Sequence, residues 1–250
     1  MEAADQDAVT ALDTAISDGK LDIARELSKK MNIDTHLLDD IDASLHWAAF
    51  LGRVNVVKEL IGKGADIEMK NKYGGTPLHE ASYNGHLDVV KFLISNKADI
   101  NANNKYENTP LHHASAKGHL DIVEFLVNSK AAIDGNTKSG FSPLHMASSA
   151  GELDVVKFLV DNKADMNART VDGETPLHIA SEFGPLNVVK FLVDMKVDIN
   201  AQASFGTTPL TFARMMRRTE VAEYLQSMGG VSRGQLFMRW VHKALRRPFG

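Results

Sequence analysis

One tetrapeptide returns every 33 residues along this chain, and that period limits the fold more than any other feature. Thr76-Pro77-Leu78-His79 recurs as Thr109-Pro110-Leu111-His112, Ser142-Pro143-Leu144-His145 and Thr175-Pro176-Leu177-His178, followed by Thr208-Pro209-Leu210-Thr211. Backwards, the frame reaches Ala43-Ser44-Leu45-His46 and Thr10-Ala11-Leu12-Asp13. Three further columns keep the phase. Alanine stands at Ala15, Ala48, Ala81, Ala114, Ala147, Ala180 and Ala213. Glycine stands at Gly19, Gly52, Gly85, Gly118, Gly151 and Gly184, and leucine at Leu27, Leu60, Leu93, Leu126, Leu159, Leu192 and Leu225. A sequence that repeats on this scale folds as stacked copies of one small element, each burying its apolar face on its neighbours. Seven repeats are present, and the only phase slip lies between Met31 and Asp42.

Each column has a physical reading. Thr76 suits a helix N-cap and Pro77 the first helical position. Leu78 and Ala81 share one face of that helix. Gly85 suits the left-handed turn that ends it. Leu87, Val90, Phe92, Leu93 and Ile94 give a second helix its apolar face, and Phe92, Phe125, Phe158 and Phe191 are expected in the core. Residues 99–108 are polar and read as a connection.

The period and the Thr-Pro-Leu-His-x-Ala signature resemble the ankyrin repeat over residues 10–228, nearly the whole chain. The resemblance implies an all-α solenoid of stacked helix-turn-helix repeats with extended, β-hairpin-like fingers. The expected organisation is a lead-in at 1–9, seven repeats at 10–228 and a basic amphipathic helix at 229–250. Two departures stand out. The family pattern places glycine after the second helix, as at Gly64, but the next four repeats carry Lys97, Lys130, Lys163 and Lys196. Either the lysines accept a left-handed backbone or the helix end shifts by a residue. The terminal repeats are degenerate: Asp13 and Thr211 replace the histidine, and Arg217 replaces the glycine, as expected of caps.

Chemistry is sparse. The chain has no cysteine, which excludes disulfides, thiolate metal sites and a cysteine nucleophile. Five of ten histidines stand in the repeat column, and the resemblance implies that they hydrogen-bond locally and to the next repeat. His86 and His119 follow the column glycine and are also framework; His36, His113 and His242 are left over. No phosphate loop, nucleophile elbow or His-Glu-x-x-His occurs. No enzyme activity, cofactor or metal is expected.

The resemblance places a protein partner along the finger tips and the exposed first-helix faces. The variable positions there are Phe50, Leu51, Lys72, Tyr73, Tyr83, Lys105, Tyr106, Lys138, Phe141, Phe183, Phe205 and Met215. Exposed aromatics beside lysine are characteristic of interface anchors. Asn101, Asn167 and Asn200, each two residues past an aspartate, resemble the substrate site of the asparaginyl hydroxylase that modifies ankyrin repeats.

Residues 231–250 leave the repeat. They hold five basic and no acidic side chains, so the net charge of −4 divides into −9 for residues 1–230 and +5 for the tail. Leu236, Phe237, Trp240, Val241, Ala244 and Leu245 fall on one helical face, and Arg239, Lys243 and Arg246 accompany them. Such a helix fits a membrane surface, calmodulin or the last repeat. The acidic repeats exclude a simple nucleic-acid role. No apolar run reaches the ~18 residues of a membrane helix, and the polar N-terminus is unlike a signal peptide. A monomeric adaptor in the cytoplasm or nucleus is expected. A host-directed effector and a proteasome-assembly ankyrin protein are alternatives of similar size.

Overall fold

The computed structural model describes residues 41–232 and Gly234, with side chains from Ser44 onward. The first repeat and the expected C-terminal helix, with Leu236, Arg239, Trp240, Lys243, Leu245 and Arg246, lie outside the described residues. Within them the chain is all-helical: twelve α-helices, one 3-10 turn at Ser204–Gly206, and no strand. The helices come in pairs, one pair per repeat. They are α1 (Ile41–Phe50) and α2 (Val54–Gly62), α3 (Pro77–Asn84) and α4 (Leu87–Ser95), then α5 (Pro110–Ala116) and α6 (Leu120–Asn128). There follow α7 (Pro143–Ala150) and α8 (Leu153–Asp161), α9 (Pro176–Glu182) and α10 (Leu186–Asp194), and α11 (Pro209–Met215) and α12 (Thr219–Ser227).

Helices of seven to ten residues are too short to persist alone, so stacking must hold them. The chain divides into two compact bodies, Met1–Ala114 with Asp121–Ala132, and Ser115–Leu120 with Ile133–Gly250. In the first, α1 packs on α2 and α3, α3 on α4, and α2 on α4. In the second, α7, α9 and α11 pack in succession, each also against its own partner helix, and α8, α10 and α12 form the second row. The repeat columns are the core: Leu45, Leu78, Leu93, Leu126, Leu144, Leu159, Leu177, Leu192 and Leu210 are all buried, as are the column alanines from Ala48 to Ala213.

Two glycine columns of the repeat hold left-handed turns. A Cβ on Gly151, whose φ is 85°, would sit 2.5 Å from Pro185 Cδ in the next repeat. Glycine is thus required there twice, for the left-handed turn and for the close approach. The four lysines at the other glycine position keep the turn: φ is 71° at Lys97, 73° at Lys130, 72° at Lys163 and 64° at Lys196. The helix end does not shift; the strain is retained.

The second-helix aromatics depart from expectation. Phe92, Phe125, Phe158 and Phe191 are half-buried, at the outer edge of the core. A lysine of the preceding repeat covers such a ring where the structure shows it: Lys58 Nζ lies 5.8 Å from the Phe92 centroid, and Lys190 Nζ lies 5.6 Å from that of Tyr224. The ring gives its face to a cation whose stem shields it, which leaves the column half-open to water.

Candidate interaction surface

The histidine column sets the geometry on which the fingers rest. Ser142 N–H donates to His145 Nδ1 at 3.1 Å, and His145 N–H donates to Ser142 Oγ at 3.4 Å. The backbone donor fixes Nδ1 as an acceptor, so the proton resides on Nε2. Nε2–H then donates to the Glu174 carbonyl, 3.1 Å away at the base of the next finger. His79 does the same to Asn108 at 2.9 Å and His178 to Thr207 at 3.2 Å. Burial lowers the His145 and His178 pKa values to about 4, against the partly offsetting backbone hydrogen bonds. These rings are neutral braces. His86 has the framework place expected of it, with Nε2–H donating to the Phe50 carbonyl at 2.8 Å. Among the described residues, no His, Cys, Asp and Glu cluster could hold a metal ion.

Each finger is a tight turn closed by its own backbone. Asn71 N–H donates to Gly75 O at 2.9 Å and Gly74 N–H to Asn71 O at 2.8 Å, and the later fingers repeat the pair. Adjacent tips are joined: Lys105 N–H donates to Tyr73 O at 3.0 Å, Val171 N–H to Ser139 O at 3.0 Å, and Ser204 N–H to Asp172 O at 2.7 Å. Finger bases are joined by a polar column. Asp99 N–H donates to Glu68 Oε1 at 2.6 Å, Ala132 N–H to Asn101 Oδ1 at 2.8 Å, and Asp165 N–H to Asp134 Oδ1 at 2.9 Å.

On this frame Tyr73 and Tyr106 stand at equivalent tips, 54% and 58% exposed. Lys72 Nζ lies 5.0 Å from the Tyr73 ring centroid, and Lys105 Nζ donates to the Lys72 carbonyl at 2.6 Å. Lys138 is exposed at the tip that follows. Phe205 is 83% exposed at its tip, with φ of 59°. On the first-helix faces, Phe50, Tyr83, Phe183 and Met215 are exposed, while Leu51 is half-buried. Tyr83 meets the leftover His113 edge-on at 5.6 Å, and that ring meets His79 at 5.5 Å. Phe141 is half-buried at a finger base, its ring 5.7 Å from that of His145. Beneath the first fingers, Asn71 Nδ2 donates to Glu80 Oε1 at 2.8 Å, and burial pushes the Glu80 carboxyl up, against the opposing effects of His46 and the Asn71 bond.

Sequence reasoning missed Val171, Met195 and Met228, all exposed apolar side chains of the second body. Val171 shares its finger column with Lys72, Lys105 and Lys138, so the column itself was the available signal. The asparagines belong to the framework column: Asn101 takes Ala132 as above, and Asn200 Oδ1 accepts Val231 N–H at 2.8 Å. Asn167 is exposed. Chemistry at Asn101 or Asn200 must first break these bonds. Val54, Lys58, Asp88, Lys91, Phe92 and Ser95 line an open groove of about 450 Å³ between α2 and α4.

A family model of ankyrin repeats matches the chain in three overlapping copies, at residues 96–170, 133–203 and 163–232. A second ankyrin repeat model matches residues 45–94. No curated protein matches the chain. No described helix is long and apolar enough to cross a membrane.

Proposed function

The chain belongs to the ankyrin repeat family, whose repeats generally serve protein–protein interaction, and we propose that it acts as a non-catalytic scaffold or adaptor. The partner is a protein, held along the finger tips and first-helix faces. Tyr73 and Tyr106 carry this reading: they are exposed, they flank lysines, and the bond from Lys105 N–H to Tyr73 O locks their tips together. Neither ring supports the core. A surface fixed before binding loses little ordering entropy when a partner arrives, so exposed aromatic area converts efficiently into affinity. Work in the cytoplasm or nucleus fits this role. Affinity capture with the full chain and with a Tyr73→Ala, Tyr106→Ala variant tests it. The expected result is loss of the captured partner with the melting temperature unchanged. A large melting shift with undiminished capture would make both tyrosines structural.

A further inference from the structure

Given a protein partner at the finger tips, we propose that the two joined tips of the first body take an extended peptide segment of that partner. Its acidic side chain lies at Lys72 and Lys105, an apolar one on Tyr106 and a basic one at Glu107.

Glu107 is the anomaly that points there. One position in each described finger holds a left-handed backbone: φ is 77° at Gly74, 61° at Glu107, 78° at Gly140, 76° at Gly173 and 69° at Gly206. Glycine suits that conformation, which a Cβ disfavours. Space demands it too where the next tip is close: a Cβ would lie 2.9 Å from Lys105 N at Gly74 and 2.8 Å from Val171 N at Gly140. Glu107 nevertheless keeps the turn, its N–H donating to Asn104 O at 3.0 Å, and its side chain is exposed. Among the described residues its carboxylate forms no ion pair. A strained residue without a structural contact marks a surface kept for a ligand.

The cations of the same tips are held apart from it. Lys105 stands two residues before Glu107, yet its Nζ donates back to the Lys72 carbonyl at 2.6 Å. Lys72 Nζ lies 5.0 Å from the Tyr73 ring centroid, and Lys70 Nζ donates to the Asn103 carbonyl at 3.2 Å. None of the three pairs with a carboxylate among the described residues. Each ammonium is anchored by a neutral group and keeps N–H donors to spare. The first tip thus gathers positive charge, while the second presents an exposed ring and a carboxylate.

A peptide complements this order without folding. In an extended segment, side chains at i, i+2 and i+4 share one face and span ~13 Å. That covers two tips set one helix spacing, ~8–10 Å, apart. Glu107 also decides against a nucleic acid, whose phosphates would meet a carboxylate on repeats of net charge −9.

Selection of a random phage-displayed peptide library on the full chain tests the proposal. Enriched peptides should carry an acidic, an apolar and a basic residue in that order or its reverse. Lys72→Ala with Lys105→Ala should weaken the consensus peptide about tenfold or more, the scale of a close charge pair. Selection on Glu107→Lys should turn the basic position acidic. Glu107→Gly should weaken the consensus peptide while raising the melting temperature, a combination that a structural role would not give. The proposal is overturned by no enriched peptide, by a consensus unchanged on Glu107→Lys, or by oligothymidylate binding more tightly than the consensus peptide. In those cases, loss of the captured partner on Tyr73→Ala, Tyr106→Ala would still uphold a protein partner at the tips, and its retention would sink both readings.

Discussion

His145 donates from Nε2 to the carbonyl of Glu174, 29 residues further on, at 3.1 Å, while its Nδ1 accepts from the start of its own helix. One neutral ring thus ties a helix cap to the neighbouring finger. Protonation would put a donor on Nδ1 and break the cap bond.

Stability should therefore depend on pH with a definite sign. The folded pKa values of His145 and His178 lie at about 4, below the ordinary histidine value of 6.5. The unfolded chain binds more protons between these limits, so stability is full above pH 6.5 and falls as pH drops toward 4. Each histidine contributes on the order of 3 kcal/mol across that window. Glu80 and Glu174, whose carboxyls burial pushes up, oppose part of the loss. Urea unfolding at pH 7.5 and pH 4.5 measures it. Equal midpoints would refute the neutral-brace role, and His145→Asn with His178→Asn should flatten the slope.

Strain relief should be measurable at Lys163. Its φ of 72° disfavours any side chain with a Cβ. Lys163→Gly is expected to gain up to about 1 kcal/mol once the added freedom of the unfolded chain is subtracted. Lys163→Ala keeps the Cβ and should gain nothing. If both variants melt alike, the backbone at this position is unstrained.

Gly151→Ala should destabilise the chain by about 2 kcal/mol or more. The methyl meets both the left-handed backbone and the Pro185 ring, 2.5 Å from its Cδ. Denaturant midpoints report it. Gly62→Ala is the control, because nothing lies within 4 Å of a Cβ placed there.

Leu126 is wholly buried in the second-helix column. Leu126→Ala is expected to cost roughly 2–5 kcal/mol through lost burial and a residual cavity. Coincident unfolding curves for variant and parent would remove Leu126 from the core.

The repeat frame was legible because its signals are local and multiplied. Thr-Pro fixes a helix start, glycine fixes its end, and recurrence removes the ambiguity of any single copy. The strained lysines were legible as a question, since φ at Lys97 depends on whether packing holds the turn. The half-open position of Phe92 was not legible. Whether an aromatic column faces the core or a lysine stem depends on the angle between neighbouring helices, which the spacing leaves unstated. Nor was the ring contact of Phe141 with His145. A variable aromatic at a finger suggested a partner, and only the placement of His145 shows a ring beside it. Val171 was missed because periodic reading attends to what recurs.

The bonds that join neighbouring repeats reach only 29 to 36 residues along the chain. No distant segments must therefore find one another, so the loop-closure entropy of assembly is met in equal small instalments. Pulled from its ends, such a chain should peel rather than burst, giving a saw-tooth of force with a contour step of roughly one period per tooth.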